Sequence, residues 1–261
     1  MEPTLRNPAR ERLAAGELAL GVGIRQSRTV DIAAIMKACG YDWLFLDLEH
    51  NSMDLDIAVQ ISVAALAVGI APIVRVPAGQ FWLATRVLDG GALGIVMPHV
   101  DTAEEAREIA DRLRYPPQGH RSMAGGLPHF GYAAIGTGAA CAAINAATLV
   151  VVMLETPRAI ANAAAIAAVP GIDSLLIGTS DLSIELGIPG QLGDDRILDA
   201  YRNVIEACRA HGKYPGMGGV YDDSLMRRYV GMGMRLVLGG GDLGFMTAAA
   251  TERAKMLREC R

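Results

Sequence analysis

An apolar run of strand type, Trp43-Leu44-Phe45-Leu46, leads directly into Asp47, Leu48, Glu49 and His50. Carboxylates are seldom left inside a protein without a partner, and histidine titrates near neutral pH. Such a cluster must therefore be paired, hold a metal or take part in proton transfer. In an extended chain residues two apart face the same way, which places Asp47 and Glu49 on one face. Taken alone, a solvated strand end with an ordinary Asp–His hydrogen bond accounts for the segment equally well.

The arrangement recurs further along. Glu155 closes the apolar run 148–154, Ser180 and Asp181 follow 174–178, and Asp242 follows 235–239. Carboxylates from separate strands, without cysteines, make an oxygen-rich site suited to a hard divalent cation such as Mg²⁺ or Mn²⁺, with Glu155 and Asp181 as the ligands. Each also precedes a helical segment and could serve as its cap, a role that fits Asp181 well and Glu155 poorly. Arg75 is the single basic residue in Pro72-Ile73-Val74-Arg75-Val76-Pro77. Its guanidinium either faces an anion inside the fold or snorkels outward between helices.

Positioning these residues requires a repeated scaffold. Strand-length apolar runs at 19–24, 43–48, 72–76, 93–97, 148–154, 174–178, 214–218 and 235–239 alternate with helix patterns at 29–39, 55–68, 80–88, 103–113, 157–168, 194–211, 222–229 and 243–261. Eight βα units in this length predict a single-domain (β/α)₈ TIM barrel spanning 1–261, with its site at the C-terminal strand ends. The segment 115–145, rich in glycine and proline, reads as a long functional loop plus an extra helix. Gly21-Val22-Gly23-Ile24-Arg25-Gln26 lacks the third glycine of a dinucleotide-binding turn, which argues against a doubly wound nucleotide fold.

Composition narrows the partners. The 261 residues are 51% hydrophobic and carry a formal charge of −4, with no basic run, so small molecules or proteins are favoured over nucleic acid or anionic membrane. Cys39, Cys141, Cys208 and Cys260 are scattered and form no Cys-x-x-Cys pair, which suggests neither a zinc site nor a disulfide scaffold. The charged N-terminal segment lacks the apolar stretch of a secretory signal, and the longest apolar run is short and broken by Gly69 and Pro72. A cytoplasmic location is the expectation.

The motifs Tyr41-Asp42-Trp43-Leu44-Phe45-Leu46-Asp47-Leu48-Glu49-His50, Val74-Arg75-Val76-Pro77, Tyr115-Pro116-Pro117-Gln118-Gly119-His120-Arg121, Leu154-Glu155-Thr156 and Gly178-Thr179-Ser180-Asp181-Leu182-Ser183 occur in this order. Together, over residues 15–245, they resemble the HpcH/HpaI family of metal-dependent class II pyruvate aldolases, of the 4-hydroxy-2-oxoheptanedioate aldolase type. The resemblance implies a phosphoenolpyruvate/pyruvate-type barrel that cleaves 4-hydroxy-2-oxoacids to pyruvate and an aldehyde, reversibly. It further implies that Glu155 and Asp181 hold Mg²⁺ or Mn²⁺, with Co²⁺ or Zn²⁺ as alternatives. Arg75 then orients pyruvate and stabilises enolate charge, and His50 is the base on the 4-hydroxyl, with Asp89 or Asp47 as its carboxylate partner. Glu49 orders a metal-bound water, and the backbone N–H groups of Ser180 and Asp181 receive the substrate carboxylate. The implied assembly is a homohexamer, a trimer of dimers that exchanges terminal helices. No lysine lies in a strand run, so a Schiff-base route lacks its nucleophile.

Two departures stand out. No arginine occurs from 122 to 157, where the family places them for dicarboxylic substrates, which disfavours an acceptor such as succinic semialdehyde. Met153 stands where a glutamine is often found. Among the remaining histidines, His99 follows a strand at the mouth end, His120 and His129 lie in the long loop, where a lone histidine is more often a surface residue than a contact to the acceptor, and His211 ends a helix. The final helix packs on its own barrel or on a neighbour. A decarboxylase on a related 2-oxoacid and a catalytically silent barrel are the alternatives to the aldolase.

Overall fold

The computed structural model describes residues 4–260. Eight parallel strands close into a barrel in chain order. The first half comprises α1 (Pro8–Ala14), β1 (Ala19–Ile24), α2 (Ile32–Ala38), β2 (Trp43–Asp47), α3 (Leu55–Val68), β3 (Ala71–Arg75), α4 (Phe81–Asp89), β4 (Gly94–Met97) and α5 (Ala103–Leu113). After a long connection come α6 (Thr137–Ala147), β5 (Leu149–Leu154), α7 (Pro157–Ala161), α8 (Ala163–Ala167), β6 (Ser174–Gly178) and α9 (Thr179–Glu185). Then follow α10 (Asp195–His211), β7 (Tyr214–Gly218), α11 (Asp223–Met232), β8 (Leu236–Gly241) and α12 (Asp242–Glu259). The strands β1, β6 and β7 match the sequence expectation residue for residue, and the others shift by one or two positions.

The strands are apolar on both faces because both are covered. Leu44, Leu46, Val150 and Val152 point outward to the helices, whereas Trp43, Phe45, Ile73, Val151, Leu176 and Leu236 fill the barrel interior. Gly21 is what admits Trp43: a Cβ there would lie 2.1 Å from the indole ring. The same alternation carries inward-facing Trp43 and Phe45 up to Asp47, Ile73 up to Arg75, and Val151 and Met153 up to Glu155. Local signals set the helix ends, as where Asp54 accepts the Ile57 N–H at the start of α3 and Gly69, at φ +70°, ends it.

Four features depart from the expectation. The charged N-terminal segment forms α1, and buried Asn7 ties it to the barrel base through Leu93 O (3.0 Å) and Ala147 O (2.8 Å). The pattern at 157–168 is two short helices meeting at Asn162. A separate short helix, α9, starts directly at the end of β6. Finally, the connection after α5 runs along the N-terminal ends of the strands, where His129 Nε2 contacts Ala92 O at 3.1 Å ahead of β4 and His120 pairs with Asp111. A helix-to-strand connection must return to that end, so His120 and His129 do not line the mouth of their own barrel.

The base is locked by charge. Asp173 takes Arg10 Nη1 at 2.8 Å, the buried Arg114 guanidinium and the Val150 N–H at 2.7 Å. At the other extreme, α12 carries 18 residues and buries none of them, leaving Leu243, Phe245, Met246, Met256 and Leu257 exposed. Among the described residues no helix is long and apolar enough to cross a membrane.

Candidate active site

The C-terminal strand ends gather charge around one buried carboxylate. Asp47, fully buried, accepts Arg75 Nε at Oδ1 (2.9 Å) and Arg75 Nη2 at Oδ2 (2.6 Å), and Oδ2 also takes Arg25 Nε at 2.9 Å. Backbone N–H groups of Glu49 (3.1 Å) and His50 (3.4 Å) complete its shell. Burial opposes the charge on Asp47, but the Arg75 and Arg25 partners and the Glu49 N–H overcome it and hold the carboxyl below its usual range. Arg75 is also buried, lies 5.0 Å over the Phe45 ring, and is kept charged against burial by Asp47, Glu49 and Glu155.

Glu49 lies in the bend just past the end of β2 and still turns toward the same arginine as Asp47, its Oε2 within 3.0 Å of Arg75 Nη1. The contact is an ion pair without hydrogen-bond alignment, which leaves this buried oxygen free to accept from another donor. Glu155, from the end of β5, accepts the His99 N–H at 2.8 Å and has His99 Nδ1 at 3.2 Å. Burial pushes the Glu155 carboxyl up and Asp181 adds to this, offset in part by His99 and Arg75. Space for Glu155 comes from Gly178, where a Cβ would sit 2.6 Å from Oε1. His99 holds φ +55°, a conformation uncommon outside glycine, and turns its ring between Glu49 and Glu155.

Asp181 sits half-buried in the first turn of α9, and Ser180, exposed, directs its hydroxyl toward Gly219 O at 3.4 Å. His50 projects into the mouth with its side chain 53% exposed and Nε2 3.7 Å from Glu49 Oε2. Arg25, Arg75, His50 and Asp181 line a cavity of about 280 Å³ floored by Phe45, Met153, Leu176 and Leu238. A larger cleft, about 660 Å³, lies at the barrel base among Arg6, Glu11, Arg12 and Lys37, remote from these groups.

The expected carboxylate partner of His50 is not supplied within the chain. Asp47 meets the His50 backbone rather than its ring, because its oxygens are taken by arginines. Asp89 ends α4 at the opposite end of the barrel, where its Oδ1 takes Arg121 Nη2 at 2.6 Å. Sequence reasoning overlooked Arg25 at the mouth, although it shares the parity of Ala19, Gly21 and Gly23 and directly follows β1. It also left open what Asp242 does: the carboxylate accepts the N–H groups of Arg25, Gln26 and Ser27 and so fixes the β1 loop.

Among the described residues no three His, Cys, Asp or Glu side chains converge as a complete metal cage. The pair Glu155 and Asp181 nevertheless fits a hard cation that completes its shell with substrate oxygens and water, since such ions are commonly bound by one or two carboxylates. A cation there would also relieve the carboxylate repulsion that burial intensifies.

A closed (β/α)₈ barrel with a buried arginine and paired carboxylates at its C-terminal mouth defines a barrel enzyme. The chain belongs to the HpcH/HpaI aldolase/citrate lyase family, whose family model matches residues 25–246. It is 37% identical to the 4-hydroxy-4-methyl-2-oxoglutarate aldolase tasA of Hapsidospora irregularis, over 95% of this chain and 93% of that one. It is 32% identical to the 2-keto-3-deoxy-L-rhamnonate aldolase of Escherichia coli, over 99% and 96%. The crystal structure of an HpcH/HpaI aldolase from Desulfitobacterium hafniense superposes with a TM-score of 0.91 at 26% identity, covering 96% of each chain. The protein is a carbon–carbon lyase of the aldolase type.

Proposed function

We propose that this mouth performs retro-aldol cleavage of 4-hydroxy-2-oxoacids to pyruvate and a carbonyl partner, and the reverse addition, with Arg75, His50, Glu155 and Asp181 as its working groups. The relatives act, by their names, on 4-hydroxy-4-methyl-2-oxoglutarate and 2-keto-3-deoxy-L-rhamnonate, both 2-oxoacids. The observation that carries the reading is the buried Arg75, clamped by two hydrogen bonds to Asp47 and lining one cavity with Asp181. A guanidinium immobilised before substrate arrives need not reorganise when negative charge develops beside it.

A divalent cation held by Glu155 and Asp181, with Mg²⁺ or Mn²⁺ matching the oxygen donors, would supply Lewis-acid stabilisation of charge on the 2-oxygen. Arg75 donates to that oxygen as the enolate forms. His50 removes the 4-hydroxyl proton. The C3–C4 bond then breaks with its electron pair left on C3, C4 becomes the new carbonyl, and C3 takes a proton to give pyruvate. Glu49, with one buried oxygen free, orders water beside Arg75 and the His50 ring. The N–H groups at the start of α9 have no side-chain cap and suit the substrate carboxylate near Ser180 and Asp181.

The same reading includes a homo-oligomer built as a trimer of dimers. An unburied 18-residue helix with exposed Phe, Leu and Met side chains supports association through α12. Asp89 lies at the far end of its own barrel, so it can serve His50 only across an interface between copies. Stoichiometric release of pyruvate and aldehyde from 4-hydroxy-2-oxopentanoate tests the cleavage. Release of CO₂ from oxaloacetate without any aldol cleavage would transfer the assignment to a decarboxylase.

A further inference from the structure

The mouth holds a second arginine that this chemistry does not use. Arg25 is fixed at both ends: its backbone N–H donates to Asp242 Oδ1 at 3.2 Å, and its Nε donates to Asp47 Oδ2 at 2.9 Å. Asp242 is itself secured. Burial opposes its charge, but the N–H groups of Ser27, Gln26, Arg25 and Leu243 hold its carboxyl below the usual range. Neither terminal nitrogen of Arg25 meets an acceptor among the described residues, and the side chain keeps 46% exposure while lining the cavity with His50 and Arg75. A planar guanidinium steadied at Nε, with both outer nitrogens open to a cavity, is preorganised for two-point contact with a carboxylate.

The placement of Arg25 also limits where that carboxylate can be. Arg25 and Arg75 bond the same oxygen, Asp47 Oδ2, at 2.9 and 2.6 Å. A group held by Arg25 is therefore close to the carbons on which Arg75 acts. The far end of a long acceptor such as succinic semialdehyde would lie beyond it. The segment 122–157, where arginines for such a remote carboxylate were expected, contains none and runs in its first part along the barrel base, whereas Arg25 directly follows β1 at the mouth.

We propose that Arg25 is a specificity-determining residue that binds a carboxylate attached directly to the carbinol carbon, C4. The substrates are then short 4-hydroxy-2-oxo dicarboxylic acids, cleaved to pyruvate and a second 2-oxoacid. This rests on the aldolase reading and adds to it the class of acceptor. The bond changes are those given above, with C4 becoming the keto carbon of the second 2-oxoacid, so no further reactant is consumed.

The test compares kcat/KM for 4-hydroxy-4-methyl-2-oxoglutarate with that for 4-hydroxy-2-oxopentanoate, in the wild type, Arg25→Gln and Arg25→Lys, using the metal-loaded enzyme. The wild type is expected to prefer the dicarboxylate. In Arg25→Gln that preference falls about 10- to 100-fold, mostly through KM, and Arg25→Lys restores part of it. No preference in the wild type, or an equal loss on both substrates in Arg25→Gln, overturns the proposal; an equal loss would make Arg25 a mere support for Asp47. Pyruvate methyl-proton exchange by the wild type is followed in parallel. Its absence with every metal would bring down the aldolase reading itself, whereas normal exchange without dicarboxylate preference would bring down only the role of Arg25.

Discussion

Asp47 and Arg75 form a two-point pair, Oδ1 to Nε at 2.9 Å and Oδ2 to Nη2 at 2.6 Å, with both side chains buried beneath the barrel mouth. Removing one charge from such a pair leaves the other desolvated and uncompensated. Asp47→Asn is expected to lower stability by about 3 kcal/mol and to reduce aldol cleavage by loosening Arg75. Because the folded carboxyl is held below its usual range, its stabilisation is complete above the unfolded value and is lost as pH falls through the folded one. Urea midpoints between pH 6 and pH 3 should therefore fall more steeply in the wild type than in Asp47→Asn. Parallel curves would show that Asp47 is not the acid-sensitive element.

The base should be separable from the mouth. Asp173 compensates Arg10 and buried Arg114, and its carboxylate also takes the Val150 N–H. Asp173→Asn is expected to cost about 3 kcal/mol and to lower Tm by several degrees, while KM for the cleaved oxoacid stays at the wild-type value. A change in KM would mean that the base transmits strain to the site.

His99 acts on Glu155 through its ring and its backbone. Asparagine tolerates φ +55° and keeps the N–H, so His99→Asn isolates the ring. Calorimetric Mn²⁺ affinity is expected to weaken about tenfold, as for loss of an outer-shell partner. Unchanged affinity would remove His99 from the ligand support and count against Glu155 as a metal ligand.

Met153 floors the cavity with Phe45 and Leu176 and offers no hydrogen-bond donor. Met153→Gln would place an amide beside bound pyruvate and is expected to raise its methyl-proton exchange rate about threefold or more, in keeping with a net hydrogen bond of roughly 1 kcal/mol. Identical rates in the two proteins would show that this departure from the family pattern has no kinetic consequence.

Much of the barrel was legible because its period is local. Alternating apolar runs identified the strands, and the polar residues that closed them brought Glu49, Arg75, Glu155, Asp181 and His50 to one end. What remained hidden depended on relations the chain does not write locally. The role of Asp47 as a clamp for two arginines arises only when β1, β2 and β3 lie side by side. Arg25 was masked because the glycines before it drew attention to a nucleotide turn, whereas Gly21 admits Trp43 and Gly23 faces the Gly240 carbonyl of β8. The 115–145 segment resembled a mouth loop by composition, but its position after a helix directs it to the barrel base. For α9, Asp181 read as a cap ahead of a helical segment, whereas the helix starts at Thr179 and Asp181 lies within its first turn.

The most direct test of the account is deuterium exchange into the methyl group of pyruvate, followed by NMR, with metal-stripped protein given Mg²⁺ or Mn²⁺ alongside Arg75→Ala and Glu155→Ala. The account predicts exchange that requires the metal and falls about 100-fold or more in each variant, the scale of losing one preorganised donor to developing negative charge. Absence of exchange with every metal, or exchange that survives intact in Glu155→Ala, would contradict it.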